Sequence, residues 1–290
     1  MNIGIIGNGY VGSATSLLLP SAVEQIIYDI DPDKSSPKGT TFDDLGCCDL
    51  IFICIPTPMT YNTGAAYTKD VEDLAWRIHR KLQDGVHTAK PYIVIRSTVP
   101  PGTSRRVDAN FMPEFLTEKN WEDDIKNTSS WIVGANDIGD DDFKGYMQSI
   151  LDLSLKEGKI KGANINFVDP PVAEMAKYMS NTFFATKVAF FNEMYEFCEF
   201  RGIPFEEVRR AFLDSSRGRV AESHTSVPGP DGHRGFGGTC LPKDLSAIIK
   251  DAHKLGIPLP LLSSVKLRNE NRDRPEKDWF TNEQKGRVFK

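Results

Sequence analysis

Cys240 follows a run with three glycines, Gly235-Phe236-Gly237-Gly238-Thr239-Cys240, and Lys243 and Asp244 come three and four residues after it. Glycine lets backbone approach a ligand closely and adopt positive φ without steric cost. A thiol held there, beside a cation that favours its thiolate, has the elements of a nucleophile. A second set lies on a segment without glycine or proline, residues 172–200. There Glu174, Lys177 and Asn181 interrupt an apolar surface at i, i+3 and i+7, so they share one helix face. A lysine and an amide on an otherwise buried helix require a partner or a ligand.

The third set is suited to phosphate. The apolar run 3–6 is followed at once by Gly7-Asn8-Gly9-Tyr10-Val11-Gly12, then by a helical stretch over 11–19 that stops before Pro20 and a second strand over 23–28. Asp29 ends that strand, 17 residues after Gly12. Strand, glycine turn, helix and a terminal acidic residue together predict a dinucleotide-binding unit, with pyrophosphate at the helix N-terminus and ribose hydroxyls on the carboxylate. Asp29 favours NAD over NADP, and Lys34 close by qualifies that preference.

These groups need a frame. Continuous apolar runs at 50–55 and 92–95 read as strands buried on both faces, and 131–133 as a later strand. The first ends in Pro56-Thr57-Pro58 and the second in Arg96-Ser97-Thr98-Val99-Pro100-Pro101-Gly102. Ligands of open α/β sheets bind at the carboxyl ends of such strands, which makes Thr57 and Thr98 candidates to face the cofactor. Residues 70–82 have helical spacing. The helix over 172–200 carries two apolar stripes, one through Met175, Met179, Phe183, Phe190, Met194 and Phe197, the other through Ala176, Phe184, Val188, Phe191, Tyr195 and Cys198. Two stripes call for partners on two sides, one of them a second subunit in a two-fold dimer. Residues 217–238 lack periodicity and read as a binding loop or a disordered linker. Shorter helices follow at 205–213, 245–255 and 259–267, and the polar stretch 272–290 reads as frayed. The fold class is α/β: a doubly wound, Rossmann-like parallel sheet over 1–170, a mainly helical central domain over 171–275, and a polar tail over 276–290.

The chain has 290 residues, 40% hydrophobic and 26% charged, with a net charge of -5. That balance excludes a general nucleic-acid binder, which needs a basic face. No apolar run reaches the length of a membrane helix, and the N-terminus opens directly on a strand, so no signal peptide is expected. Five cysteines (Cys47, Cys48, Cys54, Cys198, Cys240) without C-x-x-C spacing point away from a disulfide framework or a metal site and toward a reducing, cytoplasmic setting.

Five segments, taken in order, resemble the UDP-glucose/GDP-mannose dehydrogenase family and its UDP-glucose 6-dehydrogenases. They are Gly7 to Gly12, Ser97 to Gly102, Pro113-Glu114-Phe115-Leu116-Thr117-Glu118, Glu174 to Asn181, and Gly235 to Asp244. The resemblance spans residues 1 to about 270. It implies that Cys240 is the nucleophile, that Lys177, Asn181 and Asp244 surround the sugar's C6 oxygen, and that Thr98, Glu114 and Glu118 position protons and water. It implies NAD as cofactor, held by Gly7, Gly9, Tyr10, Val11, Gly12, Asp29, Lys34, Thr57, Thr98 and Glu118. Phe115, Leu116, Lys177, Asn181, Phe236 and Gly237 would contact a nucleotide sugar, and Arg219 would reach the site of a neighbouring subunit. No metal is implied.

The implied reaction is oxidation of a primary alcohol to an acid in two hydride transfers, with a thiohemiacetal and then a thioester on the cysteine, as in conversion of UDP-glucose to UDP-glucuronate. The family continues into a third domain that helps hold the nucleotide, so the resemblance is to a short form. Lys119 stands where the family has glycine, and Thr128-Ser129-Ser130 where it often has Pro-x-Arg. These departures bear on the substrate and leave two alternatives open: the same chemistry on a UDP-N-acetylated hexosamine sugar or GDP-mannose, or an NAD-binding remnant without turnover.

Overall fold

The computed structural model describes residues 1–83, 91–214, 224–238, 240–280 and 288–289. The apolar runs become the centre of a seven-stranded sheet. Strands β1 (Asn2–Ile6), β2 (Glu24–Tyr28), β3 (Leu50–Ile53), β5 (Tyr92–Ile95), β6 (Asn110–Phe111), β7 (Ser130–Gly134) and β8 (Asn164–Val168) lie in the order β2-β1-β3-β5-β6-β7-β8. Every pair is parallel except β6 with β7.

Register explains why the central strands are apolar at every position. Ile5 sits opposite Phe52, and Phe52 opposite Val94. This row packs on one face against Ala14 and Leu18 of α1 (Tyr10–Leu18) and against Phe143, Met147 and Ile150 of α5 (Asp141–Lys156). The neighbouring row, Ile6, Ile53 and Ile95, packs on the other face against Val71, Ala75 and Ile78 of α2 (Lys69–Gln83). Each fully buried side chain of this size contributes about 1.5–3 kcal/mol. A sheet covered on both sides by helices is the Rossmann-like, doubly wound architecture.

By its internal packing the chain forms two compact units: Met1–Thr57 with Thr68–Lys177, and Pro58–Tyr67 with Tyr178–Lys290. The first also contains α3 (Thr103–Arg106) and α4 (Trp121–Asn127). The second is mainly helical. It comprises α6 (Pro170–Arg201) from Tyr178 onward, α7 (Phe205–Asp214), α8 (Leu241–Lys254) and α9 (Pro260–Arg268), with β4 (Met59–Thr60) paired to β9 (Val288–Phe289). Its core gathers Ala185, Ala189, Phe236, Leu245 and Val265, and a smaller cluster holds Phe191, Cys198 and Phe205. The long helix closes where Gly202 takes φ +67 and Ile203 N–H donates to the Cys198 carbonyl at 2.9 Å.

The two stripes on α6 differ: Phe191 and Cys198 of one are buried and its other members half-buried, whereas Met179, Phe183, Phe190 and Phe197 of the other stay exposed within the chain. One expectation changes. The stretch after 272 is not frayed as far as Phe280: Asp273, Arg274 and Trp279 are buried. Composition hid this, because the charges there are paired both locally, as Arg274 with Asp278, and with partners distant in sequence, Glu196 and Asp231.

Candidate active site

In the first unit the turn after β1 is shaped by its glycines. Gly7 has φ +91 and donates its N–H to the Tyr28 carbonyl at 2.8 Å. A Cβ on Gly12 would lie 1.9 Å from the Gly7 carbonyl oxygen, so α1 can pack this close to the strand only without a side chain there. Nothing lies within 4 Å of a Cβ built on Gly9, which leaves the backbone open to an incoming group. The helix beginning at Tyr10 and Val11 has no side-chain cap and no acid in its first turn, an N-terminus whose dipole suits an anion. Asp29 accepts from Asn8 N–H at 2.7 Å and from Asp31 N–H at 2.9 Å, one bond to each carboxylate oxygen. Each oxygen keeps a further lone pair for a ribose hydroxyl. Lys34 forms an ion pair with Asp31 at 3.6 Å. An open turn, an uncapped helix and a positioned carboxylate fit a dinucleotide.

At the ends of β3 and β5, the Thr57 hydroxyl donates to the Thr98 carbonyl at 2.6 Å and ties the two loops together. Beyond them Glu114 and Lys177 form an ion pair at 2.9 Å, with both side chains 4% exposed. Glu114 also accepts from Leu116 N–H at 2.8 Å, and the Lys177 ammonium lies 5.6 Å from the centroid of the Phe115 ring. Glu174, one turn earlier on α6, accepts from the N–H groups of Gly102 and Ser104 at 2.5 and 2.8 Å. It thereby caps the short helix α3. Burial pushes its carboxyl upward against those hydrogen bonds. Glu118, expected beside Glu114, lies on the exposed part of the same loop.

Arg96 is the residue that sequence reasoning missed here. Its guanidinium is buried, and burial pushes it below the usual arginine range while the neighbouring Cys54 and Glu114 counter the shift. Its Nε has no hydrogen-bond partner among the described residues. The available signal was a cation placed directly after the apolar run of β5. The Cys54 thiol, also buried, is pushed up to about 11 and stays protonated.

In the second unit, Asn181 donates to Asp244 Oδ2 at 2.5 Å and Lys243 pairs with Asp244 Oδ1 at 2.6 Å. Asp244 and Asn181 are buried. Cys240 is half-buried at the N-cap of α8, and its carbonyl accepts from Asp244 N–H at 2.9 Å. Phe236 and Gly237 precede it, the Phe236 ring packed in the core. Arg219, Arg217 and Thr239 lie outside the described residues. Among the described residues no group of three or more His, Cys, Asp or Glu is placed to hold a metal ion, and no helix is long and apolar enough to cross a membrane.

Residues 38–144 match the NAD binding domain of the UDP-glucose/GDP-mannose dehydrogenase family, and residues 171–271 match the central domain of the same family. The chain is 28% identical to a UDP-glucose 6-dehydrogenase of Rickettsia typhi, over 94% of this chain and 67% of the relative. It is also 28% identical to a GDP-mannose 6-dehydrogenase of Azotobacter vinelandii, over 93% of this chain and 68% of the relative. Among solved structures, a UDP-glucose dehydrogenase from Pyrobaculum islandicum superposes with a TM-score of 0.75 at 24% identity, over 93% of this chain and 68% of the other. The chain thus spans about two thirds of the length of these proteins.

Proposed function

The chain belongs to the UDP-glucose/GDP-mannose dehydrogenase family, a family of NAD-dependent nucleotide-sugar dehydrogenases, and on that premise we propose that it oxidises UDP-glucose to UDP-glucuronate through a covalent intermediate on Cys240. One observation carries this reading. Within the second unit, Asn181 of α6 and Lys243 of α8 both end on the buried carboxylate of Asp244, four residues after Cys240. Such paired donors suit an oxygen that gains negative charge during reaction.

NAD, when bound, supplies a two-electron acceptor; Gly9, the N-terminus of α1 and Asp29 are the residues that would hold it. Hydride leaves C6 of the sugar as its hydroxyl proton departs, giving an aldehyde. The Cys240 sulfur adds to the aldehyde carbon, and Lys177 and Asn181 donate to the resulting oxyanion. A second hydride leaves the same carbon and gives a thioester. Water, positioned through Glu114, adds to the thioester carbonyl; the C–S bond breaks and the thiol is restored. The balance is one alcohol, one water and two NAD in, and one carboxylate, two NADH and three protons out. Cys48 and Cys54 are poor competitors for the nucleophile's role, because burial pushes their thiols up to about 12 and about 11.

To Thr98 and Glu118 we assign, by resemblance alone, supporting roles in positioning protons and water. The exposed stripe of α6 is the surface we assign to a second copy of the chain, giving a homodimer. No disulfide joins any of the five cysteines, which suits a reducing cytoplasm.

The test is stoichiometry. Purified protein with NAD and a panel of UDP-glucose, UDP-N-acetylated hexosamine sugars and GDP-mannose should form two NADH per UDP-glucose consumed. One NADH per sugar overturns the thioester route. Preference for another sugar overturns the substrate assignment alone, an outcome motivated by the equal identity to the GDP-mannose enzyme.

A further inference from the structure

Two of the three glycines before Cys240, Gly235 and Gly237, are crowded by protein, whereas Gly238 has open space around it. A Cβ on Gly235 would lie 2.3 Å from the side-chain oxygen of Asn269. On Gly237 it would lie 2.4 Å from the guanidinium carbon of Arg274, and all three of its nearest neighbours belong to that guanidinium. Gly235 and Gly238 also take φ of +67 and +69. Such a segment has more conformational freedom than any other sequence and holds one shape only if something outside it supplies the constraint.

Asn269 supplies it by pairing with a main chain as another strand would. It accepts from Phe236 N–H and donates to the Phe236 carbonyl, both at 2.9 Å, with the side chain 2% exposed. Asn192 of α6 accepts from Gly235 N–H at 3.1 Å. Arg274 closes the far side: it donates to both oxygens of Asp278 and to Asp231, all at 2.6 Å, and Asp231 lies in the turn that leads into the glycines. Those two carboxylates raise the Arg274 guanidinium above the usual arginine range, so the cation is permanent. Asn269 and Arg274 are the two ends of one π turn, joined by Arg274 N–H to the Asn269 carbonyl at 2.8 Å, and so act as one clamp.

We propose that Asn269 and Arg274 are positioning residues for Cys240: they hold Gly235–Gly238 in the single conformation that delivers the thiol to the reacting carbon. The role rests on reading Cys240 as the nucleophile. It also gives Gly235 and Gly237 a different cause, since the clamp fills the space their side chains would take.

The experiment uses the full chain and three variants, Asn269→Ala, Asn269→Asp and Arg274→Lys. Two readouts are compared with wild type: kcat and KM on the sugar turned over, and the rate of Cys240 alkylation by iodoacetamide, followed by peptide mass. Misplacing a reacting atom by about an ångström lowers turnover about 100-fold. Each variant is therefore expected to lose about 10- to 100-fold in kcat, to keep its KM for NAD, and to alkylate Cys240 at a changed rate. Asn269→Asp should fail like Asn269→Ala, because a carboxylate cannot donate to the Phe236 carbonyl. If Asn269→Ala does not fold, Arg274→Lys decides alone, since it keeps the charge and loses only the fork. Wild-type kcat and alkylation rate in a folded Arg274→Lys or Asn269→Ala protein overturn the proposal. Alkylation needs no sugar, so it reports on the clamp even if no sugar is turned over. Full activity of Cys240→Ser would instead remove the reading on which the clamp rests.

Discussion

Lys177 and Glu114 form an ion pair at 2.9 Å from which water is almost entirely excluded. Two charges in such a place are held by each other, and removing one strands the other at a cost of about 3–5 kcal/mol. Lys177→Met is therefore expected to lower the denaturation midpoint as well as turnover. Lys177→Met with Glu114→Gln should recover most of the stability and none of the activity. Urea titration of both proteins checks the first effect and NADH formation the second; equal stability of the two variants would contradict the pairing.

Cys240→Ser should bind NAD normally and stop short of the acid. The expected outcome is one NADH or fewer per sugar, with aldehyde trapped by a hydrazine reagent and identified by mass. Two NADH per sugar from this variant would show that sulfur takes no part.

Gly12→Ala forces a methyl group to within 1.9 Å of the Gly7 carbonyl oxygen unless α1 moves. Overpacking of this kind costs about 1–3 kcal/mol. NAD affinity should fall at least tenfold, about 1.4 kcal/mol, measured by quenching of intrinsic fluorescence. Gly9→Ala, with no neighbour to strike, should retain stability and lose only cofactor affinity.

Phe183 and Phe197 are each 59% exposed on the same stripe of α6. Wild-type protein is expected to run as a dimer in light scattering after size exclusion, and Phe183→Asp with Phe197→Asp as a folded monomer. A monomeric wild type would overturn the proposed assembly.

Acid should weaken the second unit through Glu196. Burial works against its charge, but hydrogen bonds from Arg234, Arg272 and Arg268 outweigh that and hold the carboxyl at about 2 rather than the ordinary 4.5. Because the folded state binds this proton less readily, the stabilisation is complete above about 4.5 and disappears as pH falls toward about 2. Between those values the urea midpoint of wild type should fall more steeply than that of Glu196→Gln.

The fold was legible where chemistry repeats along the chain. Strands β1, β3 and β5 are apolar at successive positions because both faces are covered, and the glycine turn announces itself by the strand before it and the helix after it. Strand β8 and helix α5 were not read. The former, Asn164 to Val168, is largely half-exposed at the sheet edge, and the latter is interrupted by Gly145 and carries exposed leucines, Leu153 and Leu155, beside its charges. The candidate residues were legible one by one, but their partners were not. Nothing in sequence spacing links Glu114 to Lys177, or Asn269 to Phe236, since only the folded chain brings them together. Arg96 and Arg274 look like surface charges until the structure places them in the interior.

Asn181, Asn192 and Glu196 lie eleven and four residues apart on α6, and each meets a different part of the glycine segment and the first turn of α8 that follows it: Asp244, Gly235 and Arg234 respectively. Eleven residues are close to three whole turns, so all three point the same way. The partners come in reverse sequence order, so the two pieces of chain run past each other in opposite directions. One residue inserted between Asn181 and Asn192 would swing everything beyond it by about 100° and unmatch every contact past the break. Over this stretch the gene can change letters but cannot change length.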